Sequence, residues 1–132
     1  MLKNDLKILQ NYDIVYQSTK MWLKKNSDGT IFRDKYGRVK KEFKKVEFKD
    51  GCIKSSVYVY GDNSCIVPTG QLHENLIGID IDNKDDTITE YVKLCEKNKY
   101  DRNTLTIKTI NEGFHEYYRL TKDQNKILHN FT

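Results

Sequence analysis

The chain has 132 residues, the usual size of one domain, with 37% hydrophobic and 32% charged residues, nine Tyr, five Phe and a net charge of +4. This much apolar material excludes a disordered chain, and the length suffices to bury roughly two thirds of the unfolded surface around one core. No apolar run approaches the roughly 20 residues that cross a bilayer, and Met1 to Gln10 lacks the apolar centre of a signal peptide, so the expectation is a single soluble, intracellular domain over residues 1–132 with no membrane partner.

In chain order, Asn26-Ser27-Asp28-Gly29 separates Lys20–Lys25 from Thr30–Arg33 and suits a hairpin or sharp loop. Arg33 to Lys49 holds eight basic and three acidic residues, so the positive charge is concentrated there. Such a segment suits a phosphate-contacting surface and equally a solvated lysine-rich face. Within it Val39, Phe43 and Val46 recur at helical spacing between Gly37 and Asp50-Gly51, which predicts a helix, although a strand also fits. Cys65-Ile66-Val67 reads as a short buried strand entering a turn at Pro68-Thr69-Gly70. The three cysteines, Cys52, Cys65 and Cys95, are odd in number and widely spaced, which points to buried free thiols and to neither a disulfide nor a zinc site.

Alternation over Leu76 to Asp82 predicts a strand with Ile77, Ile79 and Ile81 on one face and Gly78, Asp80 and Asp82 on the other. Residues 86–99 read as a helix over those isoleucines, opened by capping-box spacing at Thr87 and Glu90, with Ile88, Tyr91, Val92 and Cys95 as its apolar stripe. Leu105 to Thr109 and Phe114 to Leu120 then alternate as a hairpin. If Ile110 to Gly113 forms a four-residue connection, Thr109 faces Phe114 and Lys108 faces His115, which puts ammonium and imidazole on one side of the sheet. Tyr117 shares the face of His115, whereas Phe114, Tyr118 and Leu120 face the core. Glu116 falls on that core side and must reach water or a cation, by edge exposure or by pairing with a lysine. Lys122 to Asn125 reads as a polar turn.

Two aspartates at i and i+2 of a strand point the same way and make a platform for Mg²⁺ or Mn²⁺, hard ions that take carboxylate oxygen and complete their shell with water and substrate phosphates. An isolated Asp-x-Asp equally suits the solvated end of a strand or a sugar-nucleotide transferase, and a lone strand histidine is commonly a packed residue.

The ordered set Cys65-Ile-Val-Pro-Thr-Gly70, Asn75-Leu-Ile-Gly-Ile-Asp-Ile-Asp82, a helix, Thr104-Leu-Thr-Ile-Lys-Thr109 and Gly113-Phe-His-Glu-Tyr-Tyr-Arg119 resembles the N-terminal domain of bifunctional DNA primase-polymerases, of the archaeo-eukaryotic primase superfamily. The resemblance covers residues 64–120; residues 1–63 show none. It implies an α+β fold, with a mainly antiparallel sheet of primase-polymerase palm type and helices packed on one face. It further implies metal-dependent, template-directed nucleotidyl transfer in DNA replication, with Asp80 and Asp82 holding Mg²⁺ or Mn²⁺ and His115 contacting the triphosphate of an NTP or dNTP. Lys108 would add a second cation, as strand geometry and the basic position in similar proteins suggest, and Thr69 and Gly70 would shape the approach of nucleotide or template. Tyr117 is a candidate to stack on a sugar or base. Single-stranded DNA template and a helicase domain or subunit are the implied partners. The absence of Ala and the abundance of Lys, Asn and Ile match the codon bias of an AT-rich viral or mobile-element source.

The chain departs from that pattern at Glu112 and Glu116, where the family has a small and an apolar residue, and it lacks the third acidic residue that the family carries on a later strand. The expectation is therefore a domain whose C-terminal part is missing, either an active palm or a catalytically inactive nucleic-acid-binding remnant or split subunit.

Overall fold

Residues 2–47 and 52–129 are described by a computed structural model. Their order is α1 (Leu2–Asn11), β1 (Gln17–Thr19), β2 (Met21–Leu23), β3 (Lys41–Phe43), β4 (Ser64–Ile66), a 3-10 turn (Gln71–His73), β5 (Leu76–Ile81), α2 (Thr87–Asn98), β6 (Thr106–Lys108), β7 (Phe114–Arg119) and α3 (Lys122–His129). The protein is α+β, and among the described residues the named strands pair antiparallel in three small sheets, β1-β4, β2-β3 and β5-β7-β6. Pro68 and the positive φ of Gly70 lie where the chain turns between β4 and β5. Among the described residues no helix is long and apolar enough to cross a membrane.

Both faces of the three-stranded sheet are flanked by helices, not one face as expected. On one side Leu6 and Leu9 of α1 pack with Ile14, Tyr16 and Leu76 as a buried cluster. Helix α1 ends in a Schellman turn, in which Ile14 N–H bonds Leu9 O at 3.0 Å and Asp13 N–H bonds Gln10 O at 2.9 Å, with Asp13 in the left-handed region. That turn carries Ile14 back over Leu9. Arg119 fastens it to β7 by donating to the carbonyls of Tyr12 and Asp13, each at 2.8 Å.

On the other side α2 packs against β5 as the three isoleucines predict. Asp86 occupies its N-cap without a side-chain bond, so the box expected at Thr87 and Glu90 does not form. A reciprocal capping box does form at α3: Thr121 N–H bonds Gln124 Oε1 at 2.9 Å and Gln124 N–H bonds Thr121 Oγ1 at 3.2 Å. It makes a helix of the segment expected as a polar turn. Cys95 is buried, whereas Cys52 and Cys65 are only half-buried; all three are free thiols, and burial pushes the Cys65 thiol up.

The basic segment corrects the helical expectation. Gly37 at φ 78 closes a turn on Asp34, whose carboxylate accepts the N–H groups of Tyr36 at 2.8 Å and Arg38 at 3.0 Å, and Val39 then pairs with Arg33. This local side-chain-to-backbone bonding outcompetes a helix, so the strand alternative holds and β3 follows. The hairpin expected at Asn26–Gly29 forms, with Asn26 N–H bonded to Thr30 O at 2.8 Å. Asp50, Gly51 and Lys49 of that reading lie outside the described residues.

Between β6 and β7 the loop contains three residues, not four. Glu112 N–H bonds Thr109 O, Glu112 adopts φ 67, and Thr109 N–H bonds Gly113 O. This is a type I turn followed by a left-handed bulge residue, and it moves the register by one. Ile107 therefore faces His115, and Lys108 faces Phe114. Gly113 is demanded by its surroundings, because a Cβ there would lie 2.5 Å from the Ile81 carbonyl oxygen.

Glu116 is the most deeply buried large side chain, 1% exposed beneath α2. Tyr91 donates to its Oε1 at 2.5 Å, and Arg102 grips Oε2 through Nε at 3.0 Å and Nη2 at 2.9 Å. The cation is thus an arginine whose two nitrogens meet one carboxylate oxygen, not the lysine expected, and no edge exposure is involved. Desolvation pushes the Glu116 carboxyl up, but the bonds from Tyr91, Arg102 and Tyr118 outweigh it and hold it below the usual range.

Because the Glu116 pKa is depressed on folding, its contribution to stability is complete above its ordinary value of about 4.3 and is lost as the pH falls through the lower folded value. Urea titrations across that window should show the loss in the native protein and a flatter dependence in Glu116→Gln, while Arg102→Ala at neutral pH, which strands the buried carboxylate, should cost on the order of 3 kcal/mol. Gly113→Ala should destabilise by about 1–3 kcal/mol through the clash with Ile81; a variant as stable as the parent would contradict the close approach.

Candidate functional site

Strands β5 and β7 run antiparallel over six residue pairs, and one pair is Asp80 opposite His115. Directly opposed residues share a face, so the carboxylate and the imidazole meet: His115 Nε2 lies 3.3 Å from Asp80 Oδ1. Asp80 is 65% and His115 36% exposed at the side chain, so both can reach a ligand in solvent. One pair further along, Tyr117 opposes Gly78, and the absence of a side chain there leaves room for the phenol ring, to which a Cβ would come within 3.4 Å. Tyr117 meets the His115 ring edge-on at 6.3 Å between centroids. Burial pushes the Tyr117 phenol up, and Cys65 and the Asp80 carboxylate add to the rise. Its other side packs on the core cluster, so it buttresses the imidazole.

Asp82, the first residue past β5, is 61% exposed, and Arg38 Nη1 stands 3.7 Å from its Oδ2. The same guanidinium holds Asp34 Oδ2 at 2.9 Å through both Nε and Nη2. Desolvation pushes the Asp34 carboxyl up, but the backbone N–H groups of Arg38 and Tyr36 and the Arg38 side chain together bring it below the usual range. Arg38 also lies over the Tyr36 ring at 5.2 Å, with Lys84 over it at 5.4 Å. A clamp joins this turn to the β6–β7 hairpin: Asn111, at the hairpin tip, accepts from Val39 N–H at 3.0 Å and donates to Val39 O at 2.9 Å.

Of the residues singled out from sequence, the fold therefore brings Asp80 and His115 into contact and leaves Asp82 beside Arg38. It does not bring Lys108 to His115. The bulge at Glu112 turns Lys108 to the opposite face, where it pairs with Glu112 at 2.8 Å, and half-exposed Ile107 takes its position. Nor are Thr69 and Gly70 adjacent to the acidic residues. Gly70 N–H bonds Leu76 O at 2.9 Å, at the far end of β5, which puts it four residues or about 13 Å of strand from Asp80. A cavity of about 270 Å³ lined by Ile14, Ile53, Leu72, His73, Leu76 and Arg119 lies at that far end as well.

Arg38 is the residue that the sequence pattern did not single out. Its charge was visible in the Arg33–Lys49 run, but the Val39–Asn111 contact that sets it beside Asp82 spans 72 positions and leaves no local signal.

Asp80 and Asp82 present exposed carboxylate oxygens of the kind that Mg²⁺ and Mn²⁺ take. Among the described residues no group of three or more His, Cys, Asp or Glu side chains could hold a metal ion. The two aspartates are therefore candidate donors for such an ion and form no closed protein cage among the described residues. No family model, curated protein or solved structure matches the chain.

Asn111→Ala should free the Val39 amide, so that its hydrogen exchange accelerates at least tenfold while amides of β5 and β7 keep their protection. Unchanged exchange at Val39 would show that the clamp does not hold the arm.

Proposed function

We propose that this chain acts as a nucleotidyl-transfer domain of primase-polymerase palm type, taking an NTP or dNTP against a single-stranded DNA template. The observation that carries the reading is the direct, solvent-exposed Asp80–His115 pair, with a second carboxylate, Asp82, two residues on and a guanidinium beside it. The motif order that resembles that superfamily supports it from the sequence side.

In this mechanism Asp80 and Asp82 are the residues that would hold Mg²⁺ or Mn²⁺. The ion would neutralise phosphate charge and favour ionisation of an attacking 3′-hydroxyl. His115 donates from Nε2 to a phosphate oxygen, exchanging its contact with Asp80 for one with substrate, and Tyr117 fixes the plane of its ring. Arg38 takes the part first assigned to Lys108: standing beside Asp82, its fork of N–H donors binds and orients the phosphates. Most of the rate then comes from positioning and charge stabilisation, with proton transfer secondary. A helicase domain or subunit supplying the strand is the partner that the resemblance implies.

The Arg38–Asp82 contact also favours a second reading, a module that binds nucleic acid without catalysis, because an arginine already neutralises one of the two carboxylates. Calorimetry with a dNTP and Mn²⁺ separates the two. Under the first reading Asp80→Ala/Asp82→Ala abolishes binding, His115→Ala and Arg38→Ala each weaken it about tenfold or more, and Lys108→Ala changes it less than about twofold. Metal-independent nucleotide binding that the double substitution leaves unaltered would overturn this mechanism.

A further inference from the structure

Beyond the acidic residues, the segment from Lys20 to Lys45 carries ten basic and three acidic residues and folds as a narrow arm of short pairings, β2 on β3, Lys25 on Ile31 and Arg33 on Val39. The arm interleaves cations with aromatic rings. Lys24 Nζ lies 4.6 Å from the Phe32 centroid, Lys41 Nζ 5.8 Å from Phe43, and Lys35 Nζ 5.1 Å from Tyr36, the ring that Arg38 and Lys84 also cover. Phe43 and Tyr36 are 43% and 39% exposed, more than burial alone would leave to side chains of this size. Phe32, Phe43, Lys40, Lys41, Arg38 and Asn111 line a groove of about 350 Å³ on this arm. At one end Arg38 reaches Asp82, so the groove opens on the candidate site.

We infer that this groove binds single-stranded nucleic acid and lays it towards Asp82. The charge is complementary to a polyanion, and the half-exposed Phe43 ring in the groove offers a surface on which an unpaired base stacks, a pairing of features that serves single strands because a duplex keeps its bases stacked inside. An acidic polypeptide would satisfy the lysines and leave Phe43 without a stacking partner. An anionic membrane would want the apolar groups of this groove contiguous, whereas Arg38, Lys40 and Lys41 share its lining with Phe32 and Phe43. The inference deepens the nucleotidyl-transfer reading, on which the strand's role as template rests. Attachment of the strand needs neither metal nor nucleotide.

Fluorescence anisotropy with labelled oligo(dT) and oligo(rU) in EDTA tests it, with hairpin duplex, poly-glutamate and anionic phosphatidylserine vesicles as competitors. The expected result is binding of oligo(dT), oligo(rU) or both at low salt, weakened by salt, with neither duplex, poly-glutamate nor vesicles competing at equal charge. Phe43→Ala should weaken binding about tenfold through lost stacking. Phe43→Trp should restore it, and Lys41→Gln should reduce the slope of log K against log salt by about 0.7, the share of one phosphate contact. Far-UV circular dichroism establishes that the variants fold, and should Phe43→Ala not fold, the Phe43→Trp and Lys41→Gln results decide the matter. No binding of either oligonucleotide at low salt overturns the inference. So do duplex preference, equal competition by poly-glutamate or vesicles, or affinity indifferent to Phe43→Ala and Lys41→Gln in folded protein. The Asp80→Ala/Asp82→Ala protein keeps the two proposals apart, since strand binding persists there if the arm binds the strand, whatever becomes of nucleotide binding.

Discussion

The antiparallel pairing of β5 with β7 is the constraint on which the remaining features depend. Six consecutive residue pairs set Leu76 against Arg119 at one end and Ile81 against Phe114 at the other, and the alternation of side chains then distributes everything else. One face receives Leu76, Gly78 and Asp80 with His115, Tyr117 and Arg119. The other receives Ile77, Ile79 and Ile81 with Phe114, Glu116 and Tyr118. A slip of one residue would exchange the faces, burying the aspartate under α2 and exposing the isoleucines, so the hydrophobic demand of one face fixes the polar chemistry of the other. Gly113 enforces the end of this register by direct contact with the Ile81 carbonyl.

Glu116 follows from the same alternation. A carboxylate placed between Phe114 and Tyr118 enters the layer beneath α2 whatever its solvation cost, and α2 and the segment after it supply the compensation through Tyr91 and Arg102. The Tyr91 hydroxyl answers with a pKa raised by its own burial and by the carboxylate. This polar cluster joins α2 to β7 by bonds with definite directions. The apolar contacts around it have none, so the seat of α2 is specified more narrowly than burial of three isoleucines would specify it.

Electrostatics on the open face are balanced pairwise. Asp80 has the imidazole, Asp82 has Arg38, and Arg38 is itself shared with Asp34. These contacts are exposed, and each contributes little to stability. Their effect is to fix which charged side chains stand beside one another on this face. Arg38 in particular links the carboxylates to the basic arm, so the charge of the N-terminal third and the acids of β5 belong to one continuous surface.

Much of this was legible in residue order. Isoleucines at every second position from Ile77 to Ile81 require a strand covered on one side, the spacing of Tyr91 and Cys95 supplies the covering helix, and aspartate and histidine then fall on the opposite side by alternation alone. These are short-range periodicities, and they determined the α+β character, the β5 to β7 segment and the exposed face that bears Asp80 and His115. The tertiary structure decided what depends on a single residue of register or on distant contact. A left-handed bulge at Glu112 sent Lys108 to the opposite face, Gly70 came to rest at the far end of β5, and turn chemistry at Asp34 and Gly37 made strand of a helical pattern. Helix α1 closed over Leu76, and Asn111 clasped Val39 from across the chain. Periodicity records which face of an element meets the core; it carries no record of which remote loop will dock beside it, because that choice is made by shape and hydrogen bonding between surfaces that exist only after folding.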